Sequence, residues 1–232
     1  MLRPVALSSL RATALLMLCL TLFGARSAPV SAGAWAREKG HGFVSSTSRI
    51  AARDSDGPYS IYSTTYLELG LGHDLTLGLD IGHGVSGTSK AVLFMRHPLG
   101  ELFPGHLFAA EIGVGRIAGE PVLRPGLSYG HGFTTKRGQG GWLAIENFAE
   151  FGFATQRVDF KADFTLGLNH GDRFKSIFQM QTGVSHGDPV FARFAPSLVM
   201  RMGRVTHVEL GLTAGLVGDD QYGVKLGFWR DF

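Results

Sequence analysis

The chain has 232 residues, 44% of them hydrophobic and only 18% charged, with 33 glycines. That length suits a single all-β domain, and abundant glycine with little charge suits close-packed strands and tight turns. The formal charge of +3 resides in Arg3, Arg11 and Arg26, the only charged residues before Gly33, so the remainder is near neutral and offers no basic patch to a nucleic acid.

Residues 1–32 have the three parts of a secretory signal: Arg3 and Arg11, an apolar stretch from Ala12 to Phe23, and small residues around Val30-Ser31-Ala32. The apolar stretch is too short for the roughly 20 residues a spanning helix needs, so cleavage is predicted, after Ala32 or, as a second candidate, Ala28. The single cysteine, Cys19, lies in this leader behind Met17-Leu18, which are not the small residues that a lipoprotein signal places there. The mature chain then carries no thiol, as suits an oxidising periplasm.

From Tyr59 to the end, apolar residues recur at every second position. Leu75, Leu77, Leu79 and Ile81 oppose Thr76, Gly78 and Asp80; Val208, Leu210, Leu212, Ala214 and Leu216 oppose Glu209, Gly211, Thr213 and Gly215. Twelve strands are predicted: Gly42 to Ile50, Tyr59 to Leu71, Leu75 to Gly82, Lys90 to Arg96, Leu107 to Gly115, Val122 to Phe133, Trp142 to Phe151, Arg157 to Leu168, Phe174 to Val184, Val190 to Arg201, Thr206 to Leu216 and Tyr222 to Phe232. Turn residues separate them, as in Asp54-Ser55-Asp56-Gly57-Pro58, Gly72-His73-Asp74 and Gly218-Asp219-Asp220, whose two acids read as solvated. Most connections are short and leave little room for a plug or lid.

No apolar run after Gly33 approaches helical spanning length, the longest being Ala91-Val92-Leu93-Phe94-Met95, so a membrane passage must be a closed sheet. Alternating strands of about ten residues give the fold class: an all-β antiparallel transmembrane barrel of about twelve strands over residues 33–232, with both ends in the periplasm. A ten-strand barrel or a β-sandwich is the alternative, because Phe43-Val44-Ser45-Ser46-Thr47-Ser48 has no clear apolar face. Trp142, Phe133, Phe228, Trp229 and Phe232 fall near one end of their strands and Tyr59, Tyr222, Phe151 and Phe191 near the other, as interfacial girdles would require.

With the aliphatic face toward lipid, the lumen-lining candidates are the acids Glu68, Asp80, Glu111, Glu146, Glu150, Asp159, Asp163 and Glu209 and the bases Lys90, Arg96, Arg124, Lys161, Lys175, Arg193, Arg201 and Lys225. The signs balance, which argues against strong selection for one ion sign. This predicts a narrow pore for small hydrophilic solutes; a charge network that blocks a slim structural barrel, or a lipid or peptide hydrolase at the rim, are the alternatives.

For a hydrolase, Ser86 near His83 and Ser185 beside His186 are the nearest approaches to a serine nucleophile, and both sit in Gly-rich turns. The His-Gly dipeptides at His41, His83, His131, His170 and His186 divide between the two rims, about 25 Å apart in such barrels, so no single metal centre gathers them. Gly82-His83-Gly84 is followed by no helix pattern and is no phosphate loop. No cofactor and no catalytic residue is expected.

The last strand, Gly223 to Phe232, has Val224, Leu226, Phe228 and Phe232 in alternation and ends on Phe. It resembles the terminal signal of Gram-negative outer-membrane proteins that the barrel-assembly machinery reads, although Arg230 stands where an apolar residue is usual. The mature start Gly33-Ala34-Trp35 resembles transporter-like proteobacterial barrels of mostly unassigned function. The resemblance implies an outer-membrane address, lipid and the assembly machinery as partners, and no catalytic position.

Overall fold

The computed structural model describes residues 33–53, 57–185 and 187–232. The predicted leader, Asp54-Ser55-Asp56 and His186 lie outside these described residues.

Twelve antiparallel strands follow in chain order: β1 Gly42–Ala52, β2 Ser60–Gly72, β3 Leu75–Gly84, β4 Ser89–Phe103, β5 His106–Ile117, β6 Glu120–Thr134, β7 Gly140–Gly152, β8 Val158–His170, β9 Phe174–Val184, β10 Phe191–Arg201, β11 Thr206–Val217 and β12 Tyr222–Asp231. Each pairs with its sequence neighbours, and β1 pairs with β12 from Phe43↔Asp231 to Ala52↔Tyr222, closing a barrel. The seam is fastened where both chain ends meet, by Gly42 N–H to Phe232 O at 2.7 Å and Phe232 N–H to Gly42 O at 2.9 Å. This end is the terminal rim; the other is the distal rim.

The side-chain distribution inverts that of a water-soluble domain. Leu212 and Leu226 are 61% and 57% exposed on the outer wall, whereas Glu68 and Arg96 are each 2% exposed inside. In water this arrangement would be unstable; in hydrocarbon the aliphatic skin is the favoured surface and the backbone is satisfied because the sheet has no edge. The described residues contain no helix long and apolar enough to span a membrane.

Two strands depart from the sequence pattern for local reasons. β4 continues seven residues past Arg96, because bulges at Pro98/Gly100 and Glu101/Phe103 shift the phase and hide the alternation. β1 lacks an aliphatic outer face because its outward Ser46 and Ser48 pair with hydroxyls of β2: Ser48 Oγ lies 2.8 Å from Ser63 Oγ, and Thr65 Oγ1 donates to Ser46 Oγ at 3.4 Å.

Trp142, Phe191 and Trp229, placed in the interfacial girdles by their positions along the strands, instead line the interior cavity. Space for an inward ring comes from a missing Cβ on the neighbouring strand: a Cβ at Gly167 would lie 2.1 Å from the Trp142 ring. Likewise a Cβ at Gly78 would lie 2.0 Å from the ring of Phe94, which is 1% exposed. Gly78→Val is therefore expected to overpack the inner wall at a cost of about 1–3 kcal/mol. The check is a urea titration in lipid vesicles, where the folded band should be lost at lower urea than for wild type.

Candidate functional site

The inner wall is built by register. Arg96 and Glu111 stand directly opposite each other on β4 and β5, so they meet as a cross-strand pair. Glu68 on β2 faces Gly78 on β3, and Arg96, opposite Thr76 on the next strand pair, reaches over β3 to Glu68. An alternating chain of charges results. Arg37 Nε contacts Glu68 Oε2 at 2.7 Å, Glu68 Oε1 contacts Arg96 Nη1 at 2.6 Å, and Arg96 Nη2 contacts Glu111 Oε2 at 2.8 Å. It continues from Glu111 Oε1 to Arg124 Nη2 at 3.0 Å, Arg124 Nη1 to Asp80 Oδ2 at 2.6 Å, and Asp80 Oδ2 to Lys90 Nζ at 2.8 Å. Tyr66 donates its hydroxyl to Glu68 at 2.8 Å and accepts from Arg96 Nη2 at 2.8 Å.

Guanidinium planes also lie over rings, with Arg124 4.7 Å from the Phe148 centroid and Arg96 5.2 Å from that of Phe94. Burying these ions costs several kcal/mol each, and the chain offsets that cost by giving every carboxylate in it at least two cationic or hydroxyl partners.

The remaining lumen candidates are placed as follows. Lys161 pairs with Glu150 at 2.7 Å. Glu209 accepts from Lys225 at 2.6 Å, Ser197 at 2.6 Å and Trp229 Nε1 at 3.1 Å. Glu146 lies 3.8 Å from Arg96, and Glu146 and Asp163, opposite each other on β7 and β8, both line the cavity. Asp159 stands opposite Glu150 on β8. Lys175 sits 5.6 Å from the Trp142 ring, and Arg201 is exposed at the terminal rim.

Arg193 does not pair with another candidate. Its Nε donates to Asp219 Oδ2 at 2.7 Å, so Asp219, one of the two turn acids read as solvated, is an inward latch at the distal rim, while Asp220 pairs with Arg53 at 2.9 Å in solvent.

The wall leaves an internal cavity of about 500 Å³. One side of it is the ionic chain; around the rest, Thr47, Gln179, Gln181 and Arg49 stand among the charged Glu150, Lys161, Asp163, Arg193, Glu209 and Lys225. Arg49 Nη1 has no hydrogen-bond partner among the described residues. Sequence reasoning missed Arg37, Arg49 and Tyr66. The last two were within reach, since Tyr66 is in phase with Glu68 and Arg49 with Ser45 and Thr47. Arg37 precedes the first strand and carries no periodic signal.

Among the described residues no hydrogen bond joins Ser86 to His83, and His186, weighed beside Ser185, lies outside them. The His–Ser contact that does occur is at the terminal rim, where His170 Nε2 is 2.8 Å from Ser176 Oγ and Gln139 Nε2 is 3.0 Å from His170 Nδ1. An amide nitrogen facing Nδ1 donates to it, which leaves the proton on Nε2; His170 then donates to the serine instead of taking its proton. His106 and His131 stack at 4.2 Å, with His106 Nδ1 2.8 Å from the Tyr129 hydroxyl. Among the described residues no three His, Cys, Asp or Glu side chains are grouped to hold a metal.

Arg96→Met would leave Glu68 and Glu111 with buried, undercompensated charge. A loss of about 3–5 kcal/mol is expected, read by urea unfolding in vesicles, with partial recovery in Arg96→Met/Glu111→Gln. At Asp219 partial burial raises the carboxyl, but hydrogen bonds from Arg193 and the Gln221 amide, with the charges of Arg193 and Arg49, hold it below its ordinary value. A depressed acid stabilises the fold above its ordinary pKa of about 3.9, and that contribution disappears as pH falls through the lower folded value. Hydrogen-exchange protection of the Gln221 amide, which donates to Asp219 at 3.1 Å, should persist at pH 6, fall on acidification below about pH 4 and be absent in Asp219→Ala at both.

Neither a protein-family model nor a curated protein matches this sequence. Solved structures do. An outer membrane channel from Pseudomonas putida F1 superposes with a TM-score of 0.59 at 11% identity, over 89% of this chain and 100% of that one. NanC porin gives 0.60 at 8%, over 81% and 98%, and KdgM porin in complex with disordered oligogalacturonate gives 0.56 at 7%, over 81% and 99%. At such identities the likeness is one of fold, and the fold is that of a small, closed, twelve-stranded barrel of the outer-membrane type.

Proposed function

We propose that this chain is an integral outer-membrane channel for small hydrophilic solutes, with its terminal rim in the periplasm. The observation that carries the reading is the lining of the lumen: charges of both signs pair with one another around it, and between them hydroxyl and amide groups and Arg49 face the cavity. A solute that exchanges its water for hydroxyls and amides meets little electrostatic barrier there, and neither ion sign is strongly excluded. The barrels that share the fold include a channel and two porins, one of them holding an oligogalacturonate, which supports a polar cargo.

The address and assembly belong to the same proposal. Residues 1–32 act as a cleaved leader, removed after Ala32 or Ala28, and the barrel-assembly machinery reads Val224, Leu226, Phe228 and Phe232. Of these, Val224 and Leu226 are more than half exposed on the outer wall, where such a receptor would meet them. A lipid or peptide hydrolase is not favoured, since His170 is oriented as a donor to Ser176.

A second reading, a non-conducting structural barrel, draws on the same ionic chain, which fills much of one side of the lumen. Planar-bilayer recording separates the two. Discrete conductance steps with a cation-to-anion permeability ratio near one are expected, shifting toward cations in Arg49→Glu. Silence from protein that shows heat-modifiable migration would leave the structural barrel standing.

A further inference from the structure

The residues ahead of β1 do not leave the barrel. From the terminal rim, where Glu38, Lys39 and Gly40 are exposed, the chain turns inward, and Gly33, Ala34 and Arg37 are buried. Its outer part is held on β2, where Lys39 forms a parallel bridge with Gly70, Gly40 N–H donates to Gly70 O at 2.9 Å and Gly70 N–H donates to His41 O at 2.9 Å. Next, the Arg37 amide donates to Thr76 Oγ1 on β3 at 3.2 Å, and its guanidinium spans from Glu68 on β2 to Asp231 on β12, 2.7 and 3.8 Å away.

The deepest part reaches the far wall. Trp35 and Ala34 lie on Gly130 of β6, Gly33 lies against the Glu146 side chain of β7, and Gly33 O accepts from Arg96 Nη1 at 3.0 Å. β2 and β7 are five places apart in a ring of twelve, so the segment is a chord across the bore.

Two glycines shape the seat. A Cβ on Gly70 would lie 2.1 Å from Glu38 O and 2.5 Å from Arg37 O, both backbone atoms that cannot swing aside. One on Gly130 would lie 2.7 Å from the Trp35 ring and 3.1 Å from the Ala34 Cβ. The inner wall is thus cut to fit this stretch of backbone, with ionic contacts at its middle and its deep end.

We propose that residues 33–40 form the throat of the channel and set the size limit of the solute, which passes between this chord and the lining that includes Thr47, Gln179 and Gln181. The proposal rests on the channel reading above and adds the element that determines its exclusion limit. The segment is inside the barrel at the terminal rim, so it narrows the lumen at the end where β1 begins and β12 finishes.

Two measurements on the full chain in lipid test it. The first needs no conduction. After Gly33 the sequence has no cysteine, so on a Cys19→Ser background Ala34→Cys is a sole thiol. It should react with a polymer-linked maleimide at least tenfold more slowly than Asp172→Cys in the exposed β8–β9 turn. Adding Gly70→Val, which evicts the backbone without changing charge, should bring the two rates together. Equal rates without Gly70→Val would overturn the seat.

The second is single-channel conductance together with exclusion of neutral polymers of graded size. Deletion of residues 34–40 and Gly70→Val should each raise conductance at least twofold and admit larger polymers. If wild type conducts and both folded variants match it, the throat assignment is wrong and the channel reading survives. If all three are silent, both fall. If wild type is silent and the variants conduct, the segment is the throat and the resting channel is closed.

Discussion

Everything in this molecule depends on the requirement that no backbone donor or acceptor face hydrocarbon unpaired. A twelve-stranded sheet satisfies it only by joining β1 to β12, and the reciprocal bonds between Gly42 and Phe232 complete that ring at its terminal rim. Closure then dictates the rest. Side chains that alternate along each strand must divide into a lipid-facing set and an enclosed set, and the enclosed set must resolve its own charges. Two strand prolines show how strictly the rule applies: Pro125 and Pro196 lack an N–H, and the ladder is interrupted beside them on the β7 and β11 sides, while pairing resumes without a change of register.

The enclosed charges are organised by adjacency. Because neighbouring strands are also neighbours in sequence, each acid of the ionic chain finds a base one or two strands away, and the chain from Glu68 to Arg124 is complete within β2 to β6. Glycine governs which contacts occur. Gly78 makes room for the Phe94 ring, Gly70 for the backbone of Arg37 and Glu38, and Gly130 for Trp35 and Ala34. The low charge and high glycine content noted at the outset are therefore two aspects of one design: a few ions, each brought to its partner across a wall with little side-chain bulk.

The architecture was legible in the sequence because period-two alternation is a direct image of a two-faced wall. Twelve strands stand near the twelve predicted, although β4 runs seven residues further and β1, with its hydroxyl-bearing outer face, gave no apolar signal. What was not legible shares one cause: it depends on which residue lies across the barrel and not along the strand. Trp142, Phe191 and Trp229 follow the rule that aromatics gather near strand ends, yet they turn inward because their neighbours across the sheet leave room. Asp219 reads as a solvated turn acid until Arg193 is seen to reach it. Arg37 and the segment around it have no periodicity at all; their place is written in the glycines of other strands.

The meander gives the barrel an unusual division of labour during folding. Eleven of its strand junctions are hairpins that need only short loops to close, and the ionic chain is assembled from those local steps. One junction alone joins residues nearly two hundred positions apart in the chain, β1 with β12. Chain entropy resists that step most, because the loop to be closed is almost the whole protein. Arg37, in touch with both Glu68 and Asp231, straddles that joint from within, so the costliest closure of the sheet is fastened by a clasp supplied by the residues just ahead of β1.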